Sequence, residues 1–325
     1  MNRRHFLAAI SRALTAPLAA AAQPAGKVWR IGYLTPIEVP REPLIEALRD
    51  LGYVEGQTIR LAVLSADNHL DRLPGLAVAL EQAKVDLIVA VSPPAIRAAS
   101  RATKTTPIVM AFWGGEGLIE SGIVTSFSRP GTNVTGVFMF AAELDAKRLG
   151  LLLEAMPSAR KIGVLNPGLA WGDFAQVRGV AQSAKVQLRM IDIPGSTSYE
   201  STFEAMATER IEALLVPSFP RFYQDHPQIV ELARKRRVPA MYEWGEIARA
   251  GGLIAYGPGI VELSRLVAIY IDKILKGARP ADLPIEQPTK FELVINLTTA
   301  RALGLTLSPS VLGRADQVID DQIPR

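Results

Sequence analysis

The chain contains no cysteine. That excludes disulfides, thiolate nucleophiles and thiolate metal sites, and it leaves no residue for a lipid anchor. Histidine is nearly as scarce: His5 sits near the start, and His69 and His226 stand alone, outside any metal-ligand spacing. No G-x-S-x-G, P-loop, H-E-x-x-H or strand-following G-x-G-x-x-G occurs. Gly114-Gly115-Glu116-Gly117 is glycine-rich but lacks the lysine and helix start of a phosphate loop, so open backbone geometry is its better explanation. No segment approaches 18 uninterrupted apolar residues, so no membrane-spanning helix is expected. Neither a catalytic residue set, a metal site nor a cofactor site is legible.

What is present is a globular composition, 49% hydrophobic and 21% charged over 325 residues, which is enough for two domains. The formal charge is +4. Residues 1–22 hold Arg3, Arg4 and Arg12 and no acid, so the remainder sits near +1. Such a balance gives no basis for nucleic-acid binding. The one basic run, Arg234-Lys235-Arg236-Arg237, suits a solvated helix end. Residues 1–22 read as a signal peptide: a basic start, a short apolar middle and a cleavage box at Ala20-Ala21-Ala22. Arg3-Arg4 before Phe6-Leu7 resembles a twin-arginine signal, with an ordinary secretory leader as the alternative. The mature chain is therefore expected to be soluble, exported and periplasmic.

One stretch, 83–115, organises the rest. Val85–Val91 is an apolar run of the kind a central parallel strand shows. Ser92-Pro93-Pro94 opens a helix to about Thr103, with Ser92 as a candidate N-cap. A second strand from Pro107 ends at Phe112-Trp113. A copy lies about 130 residues on. Asp86–Ser92 matches Glu212–Ser218, Pro107–Trp113 matches Pro239–Trp244, and Arg30–Pro36 matches Lys161–Pro167, in the same order. Three matches in register indicate two similar α/β lobes, not a solenoid.

Periodicity fills in the remainder. Strands are expected at 29–34, 58–64, 133–140, 161–165, 187–193, 212–216, from 239, at 253–256 and at 291–295. Helices are expected at 42–51, 70–83, 118–127, 143–156, 172–184, 200–209, 225–236, 260–276 and 298–303. The strand at 253–256 is read as returning to the first lobe. Lobe one is then 28–138 plus 253–283, and lobe two is 139–252 plus 284–325.

In open α/β sheets ligands sit beyond the carboxyl ends of the strands. Those ends carry Thr35, Ser92, Phe112 and Trp113 in the first lobe, and Asn166, Trp171, Ser218, Tyr242, Glu243 and Trp244 in the second. These ten are the candidate ligand-binding residues. The aromatics suit a ligand wall and equally suit packing between lobes. Hydroxyls, Asn166 and helix N–H groups suit a carboxylate, and Glu243 suits an ammonium. The expected ligand is a small carboxylate with an aromatic or bulky apolar group, such as an amino acid.

Four strings carry a resemblance: Leu48–Gln57 (L-R-D-L-G-Y-V-E-G-Q), Arg101–Val109 (R-A-T-K-T-T-P-I-V), Ser128–Gly136 (S-R-P-G-T-N-V-T-G) and Ala281–Leu297 (A-D-L-P-I-E-Q-P-T-K-F-E-L-V-I-N-L). With them the chain resembles the substrate-binding proteins of ABC importers, tryptophan/tyrosine type, from Ile31 to Ile319. The resemblance implies two Rossmann-like lobes with parallel sheets joined by crossing hinge strands, the type I periplasmic-binding fold. It also implies a monomeric receptor, not an enzyme, that closes on a small-molecule ligand and hands it to an ABC permease and its ATPase, meeting the membrane only through that permease. Two departures stand out: there is no cysteine to lipidate, and Trp113-Gly114-Gly115-Glu116 stands where relatives often carry Gly-Asp-Pro. A secreted α/β hydrolase is the competing function, weakened by the missing nucleophile–base set.

Overall fold

The computed structural model describes residues 27–114, 117–139, 141–166, 174–193 and 198–321, with the side chains of residues 112 and 113 outside that description. The leader lies outside it too. The chain begins with strand and helix in alternation: β1 (Trp29–Thr35), α1 (Glu42–Asp50), β2 (Ile59–Ser65), α2 (Leu73–Gln82), β3 (Leu87–Val91), α3 (Ser92–Ala102), β4 (Ile108–Trp113) and β5 (Val134–Phe138). These strands form one parallel sheet in the order β2-β1-β3-β4-β5.

A second series follows: α4 (Ala141–Ala155), β6 (Lys161–Asn166), α5 (Ala175–Ala184), β7 (Gln187–Asp192), α6 (Tyr199–Thr208), β8 (Ala213–Leu215), α7 (Pro220–Gln224), α8 (His226–Lys235), β9 (Ala240–Tyr242), α9 (Gly245–Arg249) and β10 (Ile254–Gly257). Then come α10 (Ile260–Leu275), β11 (Glu292–Asn296), α11 (Leu297–Ala302), α12 (Pro309–Leu312) and β12 (Gln317–Ile319). The second sheet runs β12-β11-β10-β9-β8-β6-β7, parallel except where β10 meets β11. The order β7-β6-β8-β9 repeats β2-β1-β3-β4, so the three matched strings occupy equivalent strands. The fold is α/β, two Rossmann-like lobes with crossing segments between them.

Strand periodicity sets the layers. In the first sheet Leu34, Ile88, Ala90, Ile108 and Met110 pack under α2 and α3. Tyr33, Val89, Val91, Val109 and Ala111 point the other way, into a cluster that also holds Leu44, Leu48, Leu263 and Val267 from α1 and α10. That cluster continues into the second lobe through Val216, Phe222 and Trp244, so the lobes share apolar contact. β3 is buried along its whole length, which explains its unbroken apolar run. Gly136 allows β5 to press on β4. Its φ is +132°, and a Cβ there would meet the Met110 carbonyl oxygen at 2.4 Å.

Two expectations are corrected. The strand expected to return to the first lobe, β10, pairs with β9 and β11 in the second sheet. The return comes after Gly257, with α10 packing on α1, β4 and β5. The helix expected at 118–127 is a series of turns. Ser121, Thr125 and Ser126 spend their hydroxyls on nearby carbonyls, and Gly122 takes a φ of +71°. The helix expected at 225–236 is α8, and a short helix the sequence reading did not include, α7, precedes it, each with a proline in its first turn. Residues 283–286 run beside β5 as a third crossing: Phe138 N–H donates to the Glu286 carbonyl, and Glu286 N–H donates to the Gly136 carbonyl.

Candidate functional site

The first sheet reverses direction of winding between β1 and β3, the place where doubly wound sheets open a crevice. A cleft lies there, holding with its open mouth about 780 Å³ of empty space. Tyr33, Val89, Val91 and Ala111 of the first sheet form its floor, and Leu44, Ile260, Leu263 and Val267 of α1 and α10 form one side. The second lobe closes it with Ser218, Phe219, Tyr223, Glu243 and Trp244. Tyr223 meets Trp244 edge-on, with ring centroids 6.2 Å apart. The lining is mostly apolar, and Glu243 is the single carboxylate among its described residues.

Glu243 belongs to a buried charge cluster. Arg148 of α4 is fully buried, and Asp145 and Glu243 are only 2% and 4% exposed. Arg148 Nη1 donates to Asp145 Oδ1 at 2.6 Å, and its Nε donates to the Tyr256 carbonyl at 2.7 Å. Nη2 lies 3.7 Å from Glu243 Oε1 without forming a hydrogen bond, and neither atom has another partner. One cation thus serves two carboxylates, and Asp145 takes the better share. Burial raises both carboxyls. Glu243 is pushed up to about 7 by desolvation, against the pull of Arg148 and of hydrogen bonds from Ser218 and Trp244, with Asp145 adding to the rise.

Of the ten candidate residues, the structure brings Ser218, Glu243 and Trp244 into the cleft wall. Thr35 is beside it, in an adjoining hollow with Ser65, and donates its hydroxyl to the Ile37 carbonyl at 2.6 Å. Tyr242 is 1% exposed and stands on the core side of β9, where a Cβ on Gly252 would meet its ring at 2.9 Å. β9 ends at Tyr242, and the chain beyond it brings Glu243 and Trp244 to the cleft. Asn166 ends β6 and donates to Asp192 Oδ1 at 2.6 Å, away from the cleft lining. Trp171 and the Phe112 and Trp113 side chains fall outside the described residues.

Ser92 also departs from expectation. It is the first residue of α3, not its N-cap, and no side chain caps that helix. Its φ is +73°, in the left-handed region that costs a non-glycine residue energy. Its hydroxyl is buried with no hydrogen-bond partner. Pro93 and Pro94 remove two N–H groups from the first turn. That turn offers a carboxylate fewer donors than a helix start ordinarily would.

Sequence reasoning missed Tyr33, Leu44, Phe219, Tyr223 and the α10 residues, which reach the cleft from neighbouring elements. It also missed Asp145 and Arg148. A signal for Arg148 existed: it sits on the stripe Leu144, Leu151, Leu152 and Ala155 of a helix whose apolar face is buried. Among the described residues no group of three or more metal-ligating side chains gathers, and no helix is long and apolar enough to cross a membrane.

Residues 37–319 match the family described as ABC transporter substrate binding protein. The chain is 27% identical to a tyrosine-binding protein of Clostridioides difficile (strain R20291) over 271 residues, 83% of this chain and 77% of that one. Its fold is similar to that of an ABC domain in complex with L-Trp from Streptococcus pneumonia, with a TM-score of 0.80 and 25% identity over 90% of this chain and all of that one. A ligand-free, open substrate binding protein from Clostridium difficile aligns with a TM-score of 0.63 and 24% identity, again over 90% of this chain and all of the other.

Proposed function

The chain belongs to the ABC transporter substrate binding protein family, and from that premise we propose that its solute is a small α-amino acid with an aromatic or bulky apolar side chain, held between the lobes. As a member it is a solute-binding receptor of an ABC transporter and not an enzyme; nothing favours the hydrolase reading. The observation that carries the ligand assignment is Glu243, whose Oε1 lacks a partner at the wall of an apolar cleft lined from both sheets. A solute ammonium would supply that partner, and the aliphatic floor and Trp244 would take its side chain. Ser218 and Ser92 are the hydroxyls proposed for its carboxylate. The relative named for tyrosine and the neighbour holding L-Trp support the same class.

The rest of the reading follows from the fold. Lobe one spans 28–138 with a return after Gly257 to about 283, and lobe two takes the remainder. The lobes close on the solute as a hinge. Export of a monomer to the periplasm is proposed from the leader, and delivery to an ABC permease and its ATPase from the family. Calorimetry with L-tyrosine, L-tryptophan, L-leucine and the corresponding 2-hydroxy acids tests the assignment. One amino acid should bind with a Kd near ~1 μM, about −8 kcal/mol, and its hydroxy acid should not. Trp244→Ala should weaken that binding by about 2 kcal/mol. Equal binding of amino acid and hydroxy acid, or an unaffected Trp244→Ala, would overturn the site.

A further inference from the structure

The charge cluster behind the cleft is unbalanced in a way that packing does not require. Asp145, Arg148 and Glu243 bring two carboxylates and one guanidinium out of water. Burying an uncompensated charge is costly, so a cluster of this composition takes up a proton or a further cation. Its geometry says where the deficit falls. Asp145 has the guanidinium at 2.6 Å and the Ser218 N–H besides. Glu243 has the same guanidinium only at 3.7 Å, and its Oε1 accepts nothing.

Among the described residues the surroundings offer no second compensating cation. On α4, Lys147 is engaged with the Tyr256 hydroxyl. Across the cleft Tyr33, and from α7 Tyr223, contribute phenols whose ionisation burial opposes. Glu246 of α9, itself with an unpartnered buried oxygen, adds negative charge near Tyr223. The cleft-lining residues of α10 are uncharged.

We propose that solute capture is coupled to release of a proton from the Asp145–Arg148–Glu243 cluster, so that the receptor holds an amino acid by its ammonium tightly in neutral surroundings and lets it go in acidic ones. The inference rests on the amino-acid reading of the cleft. The empty cleft keeps the cluster near neutral with a proton, and the solute's ammonium takes the proton's place, leaving the total charge buried behind the cleft unchanged. The direction follows from linkage: a group that binds a proton in the free state and loses it in the complex makes binding weaken as pH falls. Below the free-state titration, affinity should drop about tenfold per pH unit until the complex itself takes up the proton. Glu243 titrating near 7 places that fall in the range an exported protein meets.

The test is isothermal titration calorimetry of the wild-type protein with L-tyrosine and L-tryptophan at pH 5.5 to 8.5, in buffers of different ionisation enthalpy. The bound amino acid should release close to one proton below pH 7, and its Kd should rise about tenfold per unit on acidification. Glu243→Gln should bind more weakly at pH 8 and lose both the proton release and the pH slope. An infrared carboxylic C=O band present in the free wild type at pH 6, and lost on adding solute, is the second readout. Binding that needs Trp244 but is flat in pH, with no proton released, overturns the coupling while the amino-acid reading stands. Affinity that rises on acidification overturns both, since it places an anion at Glu243. Failure of these two and of L-leucine to bind removes the reading and the coupling with it.

Discussion

Replacing Arg148 by methionine isolates what the buried cation does for the fold. The side chain has no exposed surface, so its charge contributes little by itself toward solvent. Its removal strands Asp145, which loses a 2.6 Å charge-assisted bond, and leaves Glu243 beside another carboxylate with no cation. It also frees the Tyr256 carbonyl, which now accepts from Nε at 2.7 Å. Breaking a buried ion pair from one side costs about 3–5 kcal/mol. Methionine has similar length, so the cavity contribution is small. Urea denaturation at pH 7.5 should show a lowered midpoint with an unchanged slope. The deficit should shrink at pH 5. In the variant both carboxyls have folded-state pKa values above their unfolded ones, so their cost is absent at low pH and grows as pH rises through the folded values. The double variant Asp145→Asn with Arg148→Met leaves Glu243 as the one carboxyl, able to stay protonated, and should recover about half of the loss or more. A single variant that loses less than about 1 kcal/mol, or a double variant as unstable as the single, would refute the view that Arg148 neutralises the cluster.

Further outcomes can be checked independently. With Glu243 raised from 4.5 to about 7 in the folded state, its stabilising protonation is complete below 4.5 and lost as pH rises through 7. The stability difference between wild type and Glu243→Gln should therefore move by about 3 kcal/mol between pH 4 and 8, read by urea melts, given ~1.4 kcal/mol per pKa unit; no movement would contradict the burial of that carboxyl. Gly136→Ala should lower stability by about 2 kcal/mol or more, because its Cβ would fall 2.4 Å from a backbone oxygen at a φ of +132°, and a thermal melt matching wild type would sink this. Small-angle scattering should give a smaller radius of gyration with saturating amino acid, and an unchanged radius would count against hinge closure.

Much of the fold was legible because its signals are local. The apolar run at β3, the strand–helix alternation and the repeat of strings such as Asp86–Ser92 in Glu212–Ser218 need no long-range information. The membership of β10 was not legible, since a four-residue buried strand carries no mark of which sheet it joins. Strand-end position picked out Ser218, Glu243 and Trp244, which line the cleft, but it could not tell the last core residue of β9 from those that follow it, and so Tyr242 was included. Tyr33 and Leu44 and the α10 residues converge on the cleft only through tertiary packing. Ser92 was recognised as special by its place before two prolines. Its left-handed backbone and unpartnered hydroxyl are not shown by the letters alone.

The crossing segment at 283–286 bears on how the molecule is made. The outer edge of β5 receives its partner from Leu283 and Glu286, and α10 covers the face of the same sheet from residues 260–275. During synthesis the first sheet therefore leaves the ribosome long before the pieces that finish it, and its β5 edge stays open to mispairing with other chains. Neither half of the molecule can mature as an independent folding unit from a contiguous stretch of chain. An export route that carries unfolded chains and one that carries finished ones would thus impose different demands on this protein. In the first, the open edge is handed to chaperones until all but about the last tenth of the chain has emerged, and in the second the whole assembly must be completed before it leaves.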